Sequence, residues 1–175
     1  VVVPKENLVG PENGGWTLAK ALLGHERTLI AAVGQSRRAL RRIKRLAQEL
    51  YAGDTPLFED RAIRDRIARL EIKLRGLEMA NYRALAGAQL GKAPGPESSI
   101  LKLRGSEVVQ QAYELAMDLL GPASLSWFND PGIAPPLGAW VPPAFCYTRA
   151  TTIYGGSNEI QKNIIAKWIL GLPSA

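Results

Sequence analysis

The chain has 175 residues, of which 46% are apolar and 22% charged, and it carries a net charge of +6. This is the balance of one globular domain with a sizeable core, not of a disordered chain. No apolar run approaches the roughly 20 residues of a membrane-spanning helix, and a single Cys146 with a single His25 leaves neither an internal disulfide nor a zinc site built from Cys and His.

Residues 1–15 read as a short strand and a loop, broken by Pro4, Gly10, Pro11, Gly14 and Gly15. The apolar opening VVVPKENLVG has no basic leader and no small-residue cleavage site, so it is not a signal peptide. It reads as the end of a preceding β-domain and its linker, with a helical domain over 16–175. From Trp16 the periodicity becomes helical for about 35 residues. Leu22, Leu23, Leu29, Ile30, Val33, Leu40, Ile43, Ala47 and Leu50 fall along one face, and Gly53-Asp54 ends the run.

Within that run Arg37, Arg38, Arg41, Arg42, Lys44 and Arg45 fall inside nine residues. Two readings stand: the solvated face of an amphipathic helix, or a phosphate-binding surface for a nucleotide cofactor or a nucleic acid. No nucleic-acid recognition motif accompanies the basic run.

Thr55-Pro56 has the chemistry of a helix start, Thr as N-cap and Pro at the first helical position. Ile63, Ile67, Leu70, Leu74 and Leu77 then step by four and three, a heptad-like seam for shallow helix packing. The second helix is expected over 57–91, and GKAPGPESS at 91–99 is a loop by composition. Val108, Ala112, Leu115 and Leu119 repeat the step in a third helix over 99–120, which Gly121-Pro122 stops. Residues 121–143 contain six of the chain's 12 prolines and read as an irregular loop that carries function. A short helix is expected near 144–152 and a last one over 157–170. The fold class is all-α, an up-down four-helix bundle with a short extended segment ahead of it.

The segment TTIYGGSNEIQKNIIAKWILGLP at 151–173 carries the most specific information. Gly155 and Gly156 let the backbone turn sharply and approach a partner, Ser157 is placed to cap the next helix, and free N–H groups at a helix start suit a phosphate or a polar ring edge. A tight turn before a helix accounts for the same residues without any ligand.

As strings, this segment resembles the C-terminal signature of acyl-CoA dehydrogenases, and VVVPKENLVGPENGGWTLAKALLGHER resembles that family's passage from its central β-domain into its first C-terminal helix. The resemblance spans nearly all of residues 1–173. It implies the helical domain of a larger FAD-dependent enzyme that oxidises acyl-CoA to trans-2,3-enoyl-CoA. It also implies dimers or tetramers assembled through this domain, homo-oligomeric or hetero-oligomeric, and electron transfer to an electron-transferring flavoprotein. The setting would be a bacterial cytoplasm or a mitochondrial matrix. The fragment alone is expected to be inactive and to self-associate.

The base that removes the α-proton is a carboxylate with a pKa raised by burial. Many family members carry it straight after the signature Tyr, where this chain has Gly155. Others, resembling isovaleryl- and long-chain acyl-CoA dehydrogenases, carry it on the first helix, where Glu26 of GHERT matches. Glu26 also continues the apolar stripe of Leu22/Leu23, Leu29/Ile30 and Val33, where a carboxylate is costly unless paired or used. A buried ion pair with an Arg, or a helix turned so that Glu26 faces solvent, would explain it equally. The resemblance further implies flavin contacts at Gly156, Ser157 and Glu159 and substrate contacts at Arg27, Tyr154 and Gly155. Two departures stand out. No Arg-x-x-Phe-Gly segment occurs in LAQELYAGDTPLFED, and the Gly-Gly pair after the third helix is Gly121-Pro122, whose Pro lacks an N–H to donate. Both put the usual trans-subunit FAD contacts in doubt. They leave open a catalytically silent subunit that completes a partner's site.

Overall fold

A computed structural model describes residues 1–19, 21–22, 31–92, 95–127 and 136–173. Its elements in order are α1 (Val33–Glu49), a two-residue hairpin of β1 (Tyr51–Ala52) and β2 (Thr55–Pro56), α2 (Arg61–Gln89), α3 (Ser98–Leu120), α4 (Val141–Thr148) and α5 (Asn158–Trp168). Short 3-10 turns link them, and residues 15–19 and 21–22 are helical ahead of α1. The all-α class read from the sequence stands.

The core is built where the apolar steps place it. Leu40, Ile43, Leu46 and Ala47 of α1 face Ile67, Leu70, Leu74 and Leu77 of α2 and Leu101, Val108, Val109, Ala112, Leu115, Ala116 and Leu119 of α3. The heptad-like seam of α2 and the stripe of α3 are buried as expected. α3 is the central helix: it packs against α1, α2, α4 and α5. Trp140, just before α4, closes one end, edge-on to Tyr113 at 5.7 Å between ring centroids and under the Arg42 guanidinium at 5.0 Å.

Four expectations are corrected. Residues 1–15 form no strand. One turn of 3-10 helix, Lys5–Asn7, stands in an exposed run, because a strand needs a partner and none lies beside it among the described residues. The long first helix is not continuous: Ala32 takes a left-handed φ of 49° and α1 starts afresh at Val33. Leu22, assigned to the core stripe, is 61% exposed. The second helix does not start at Thr55-Pro56. Those residues pair back with Tyr51–Ala52, Leu57 N–H donates to the Leu50 carbonyl, and the cap is Asp60, whose carboxylate accepts from the N–H groups of Ala62 at 2.7 Å and Ile63 at 3.2 Å. A carboxylate with two backbone donors one turn into the helix is a stronger start than a hydroxyl followed by proline. Replacing Asp60 by Ala should cost about 1 kcal/mol, read by chemical denaturation, while Thr55→Ala should leave stability nearly unchanged. Finally, α4 begins at Val141, with Pro142 and Pro143 inside its first turn, where a missing N–H costs nothing.

The basic run lies on the outer side of α1. Arg37 donates to the carboxylate of Glu78, which is 1% exposed, at 2.8 Å, and Arg75 approaches the same carboxylate at 3.0 Å. Lys44 pairs with Glu71 at 2.6 Å and Arg45 with Glu49 at 2.6 Å. The run is therefore a ridge that clamps α1 to α2 through its inner members and meets water with the rest, the solvated-face reading of the sequence. Among the described residues no group of acidic, His and Cys side chains could hold a metal, and no helix is long and apolar enough to cross a membrane.

Candidate functional site

The signature segment is held by a polar line on α3. Lys102, Ser106, Gln110 and Glu114 are spaced by four, so they drift only about 40° per step around the helix and share one flank. Each grips the chain between Thr148 and Asn158. Glu114 pairs with Arg149 at 2.8 Å, and Gln110 donates to the Thr148 carbonyl at 2.9 Å. Lys102 donates to Asn158 Oδ1 at 2.7 Å, and Ser106 Oγ lies 3.1 Å from the same amide. The remaining stripe of α3 is apolar and faces the core, so this helix both fills the bundle and carries the loop.

The turn itself is Tyr154–Gly155–Gly156–Ser157. Gly155 has φ +65° and Gly156 φ +82°, both left-handed, which only glycine adopts without strain. Gln161, 1% exposed and three residues into α5, donates its amide to the carbonyls of Gly155 at 3.3 Å and Gly156 at 3.2 Å. A Cβ on Gly156 would lie 2.6 Å from that amide nitrogen. The outer side of the turn is bare backbone between the exposed Ile153, the Tyr154 ring and the first turn of α5. The first N–H groups of a helix have no partner within the helix itself. Partial burial, then the neighbouring Tyr147, raises the Tyr154 phenol above its ordinary pKa, so it stays a neutral hydrogen-bonding group at physiological pH.

Ser157 occupies the N-cap position, with φ −60° and ψ 159°, but its side chain accepts no backbone bond. The capping expected of Ser157 is therefore not formed. The Glu159 carboxyl is held below its ordinary value of 4.5, by its own backbone N–H first and then by the Ser157 hydroxyl. A depressed folded-state pKa stabilises the protein above about 4.5, and that contribution is lost as the pH falls through the lowered value. Glu159→Gln should therefore lower the melting midpoint slightly at neutral pH, and the gap should close in acid. A gap that widened in acid would contradict this.

Glu26 and Arg27 lie outside the described residues. Of the site residues read from the sequence, Tyr154, Gly155, Gly156, Ser157 and Glu159 form one continuous exposed turn and helix start. Lys102, Ser106, Asn158 and Gln161 were missed. Asn158 and Gln161 stand inside the signature, and the spacing by four of 102, 106, 110 and 114 was the available signal on α3.

A bundle whose central helix supports a double-glycine turn opening a helix defines the class of this domain. Residues 13–170 match the model of the acyl-CoA dehydrogenase C-terminal domain, and the chain belongs to that family. Among curated relatives, it is 36% identical over 180 residues to acyl-CoA dehydrogenase FadE26 of Mycobacterium tuberculosis, covering 100% of this chain and 44% of that protein. It is 36% identical over 172 residues to acyl-CoA dehydrogenase IpdE1 of the same organism, covering 95% of this chain and 40% of the other. The chain thus spans less than half the length of these relatives. Among solved structures, the ChsE4–ChsE5 complex of M. tuberculosis matches with a TM-score of 0.83 and 36% identity over 99% of this chain and 45% of that one. A steroid acyl-CoA dehydrogenase described as Tcur3481–Tcur3483 matches with a TM-score of 0.84 and 26% identity over 99% of this chain and 44% of that one.

Proposed function

We propose that this chain is the C-terminal domain of an FAD-dependent enzyme that oxidises an acyl-CoA to the trans-2,3-enoyl-CoA. The observation that carries the reading is the double left-handed turn at Gly155 and Gly156, two residues without side chains directly ahead of α5. Such a surface fits the polar edge of a flat ring system. Gly156, Ser157 and Glu159 are the residues of this chain that would hold the flavin, and Tyr154, Gly155 and Arg27 those on the substrate side. Bound flavin supplies the acceptor for the β-hydride. Glu26 takes the α-proton, which the thioester acidifies, and a base in a desolvated site is better matched to that proton than one in water.

Glu26 needs the rest of the protein to become that base. The helical residues ahead of α1 leave Trp16, Leu18 and Leu22 exposed, apolar side chains that further protein would cover. Self-association through apolar surfaces, and electron transfer to an electron-transferring flavoprotein, belong to the same proposal.

A second reading has its own support. Pro122 removes a donor where the family often has a second glycine, and the ChsE4–ChsE5 relative is a complex of two different chains. The chain would then belong to a subunit that completes its partner's site. Flavin content of the purified full-length protein, alone and with a partner subunit, separates the two. Stoichiometric flavin that bleaches with one member of a panel of acyl-CoAs is the expected result. A flavin-free protein that restores activity to a partner would establish the silent subunit instead.

A further inference from the structure

Lys102 is placed against every usual preference for a lysine. It is 0% exposed. Among the described residues it has no carboxylate within ion-pair distance, and its hydrogen bond goes to the neutral amide of Asn158, at 2.7 Å. Asn158 is the first residue of α5, so the ammonium sits behind the positive end of a helix, where a cation is disfavoured. Burial lowers the Lys102 pKa, and Glu159 offsets this only in part. Desolvation, the helix dipole and the lack of a close counter-charge among the described residues all weigh against this lysine as a device for stability. A Met in its place would fill the same volume at less cost.

The residue does sit at one mechanically decisive point. Asn158 joins α5 to α3 two residues after Gly156, and Gln161 grips the same turn from the other side. The turn is thus held at both ends by buried amides, and one of them is itself held by Lys102.

We propose that Lys102 is a positioning residue of the flavin site: bonded through Asn158, its buried ammonium fixes the Gly155–Gly156 turn and keeps a positive charge behind it, favouring an electron-rich ligand edge on the outer face. The proposal rests on the flavin reading above.

The test uses the full-length protein stripped of FAD and titrated with FAD. Lys102→Met alone leaves the Asn158 oxygen with only the Ser106 hydroxyl and can destabilise the fold, so the deciding variant is Lys102→Met combined with Asn158→Leu. Replacing both partners of a buried polar pair by apolar groups is close to neutral for stability. The double variant should melt near the wild-type midpoint yet bind FAD at least about ten-fold more weakly, the scale of one charge acting at a helix terminus. Lys102→Gln keeps a donor without the charge and should fall between the two. A lysine that merely filled the core would give a double variant with wild-type stability and FAD affinity within about two-fold, which overturns the proposal. Wild-type protein that binds no FAD overturns the flavin reading and this proposal with it. Wild-type binding with an unaffected double variant overturns the proposal alone.

Discussion

Glu26→Gln in the full-length protein should slow flavin reduction by at least ~100-fold, with substrate affinity changed far less. The amide keeps the shape of the side chain and removes the base. General-base contributions are typically 10²–10⁴-fold, so a loss of ~100-fold is the low end of what removal of the proposed base would give. Flavin bleaching by a good acyl-CoA in stopped flow is the measurement. The control is Glu159→Gln, the only carboxylate within YGGSNEIQ. Because its own backbone N–H and the Ser157 hydroxyl favour the charged form of Glu159 at the start of α5, its loss should alter flavin affinity or helix stability more than proton transfer. A Glu26→Gln protein that reduces its flavin at nearly the wild-type rate would place the base elsewhere.

Gly156→Val should unfold the signature turn, at a cost on the order of 3 kcal/mol. Two effects act at once. The backbone at φ +82° is strained for any L-residue and most of all for a β-branched one. The new Cβ would also meet the Gln161 amide at 2.6 Å, and Gln161 is buried with its side-chain oxygen already unpartnered, so it has little room to yield. Chemical denaturation reads the loss, and FAD affinity should fall with it. Gly156→Asn separates the causes, since Asn tolerates the left-handed region while bringing the same Cβ. It should lose distinctly less than Val. If Val and wild type denature alike, the turn does not have the geometry described here.

Much of the bundle was legible from spacing. The steps of four and three in Ile67, Leu70, Leu74, Leu77 and in Val108, Ala112, Leu115, Leu119 are direct consequences of 3.6 residues per turn, and all of these side chains are buried. Boundaries were legible less often. Thr55-Pro56 has the local chemistry of a helix start, but the competing start at Asp60 depends on a carboxylate meeting two N–H groups, and the hairpin that displaces Thr55 depends on pairing with Tyr51–Ala52. Pro142-Pro143 looked like a breaker because proline in a first turn and proline in a loop are the same letters.

By itself, the sequence determined the helical class, the apolar seams of α2 and α3, the double-glycine turn and the family to which its motifs belong. Each of these rests on interactions within a few residues, where spacing along the chain is spacing in space. Only the tertiary structure decided that α1 starts afresh at Val33 after a left-handed Ala32, that the Ser157 side chain makes no backbone cap, and that Lys102 lies buried behind the signature turn. Those outcomes depend on contacts such as the one between residues 102 and 158, where the chain separation is large and the partner is chosen by how the helices pack.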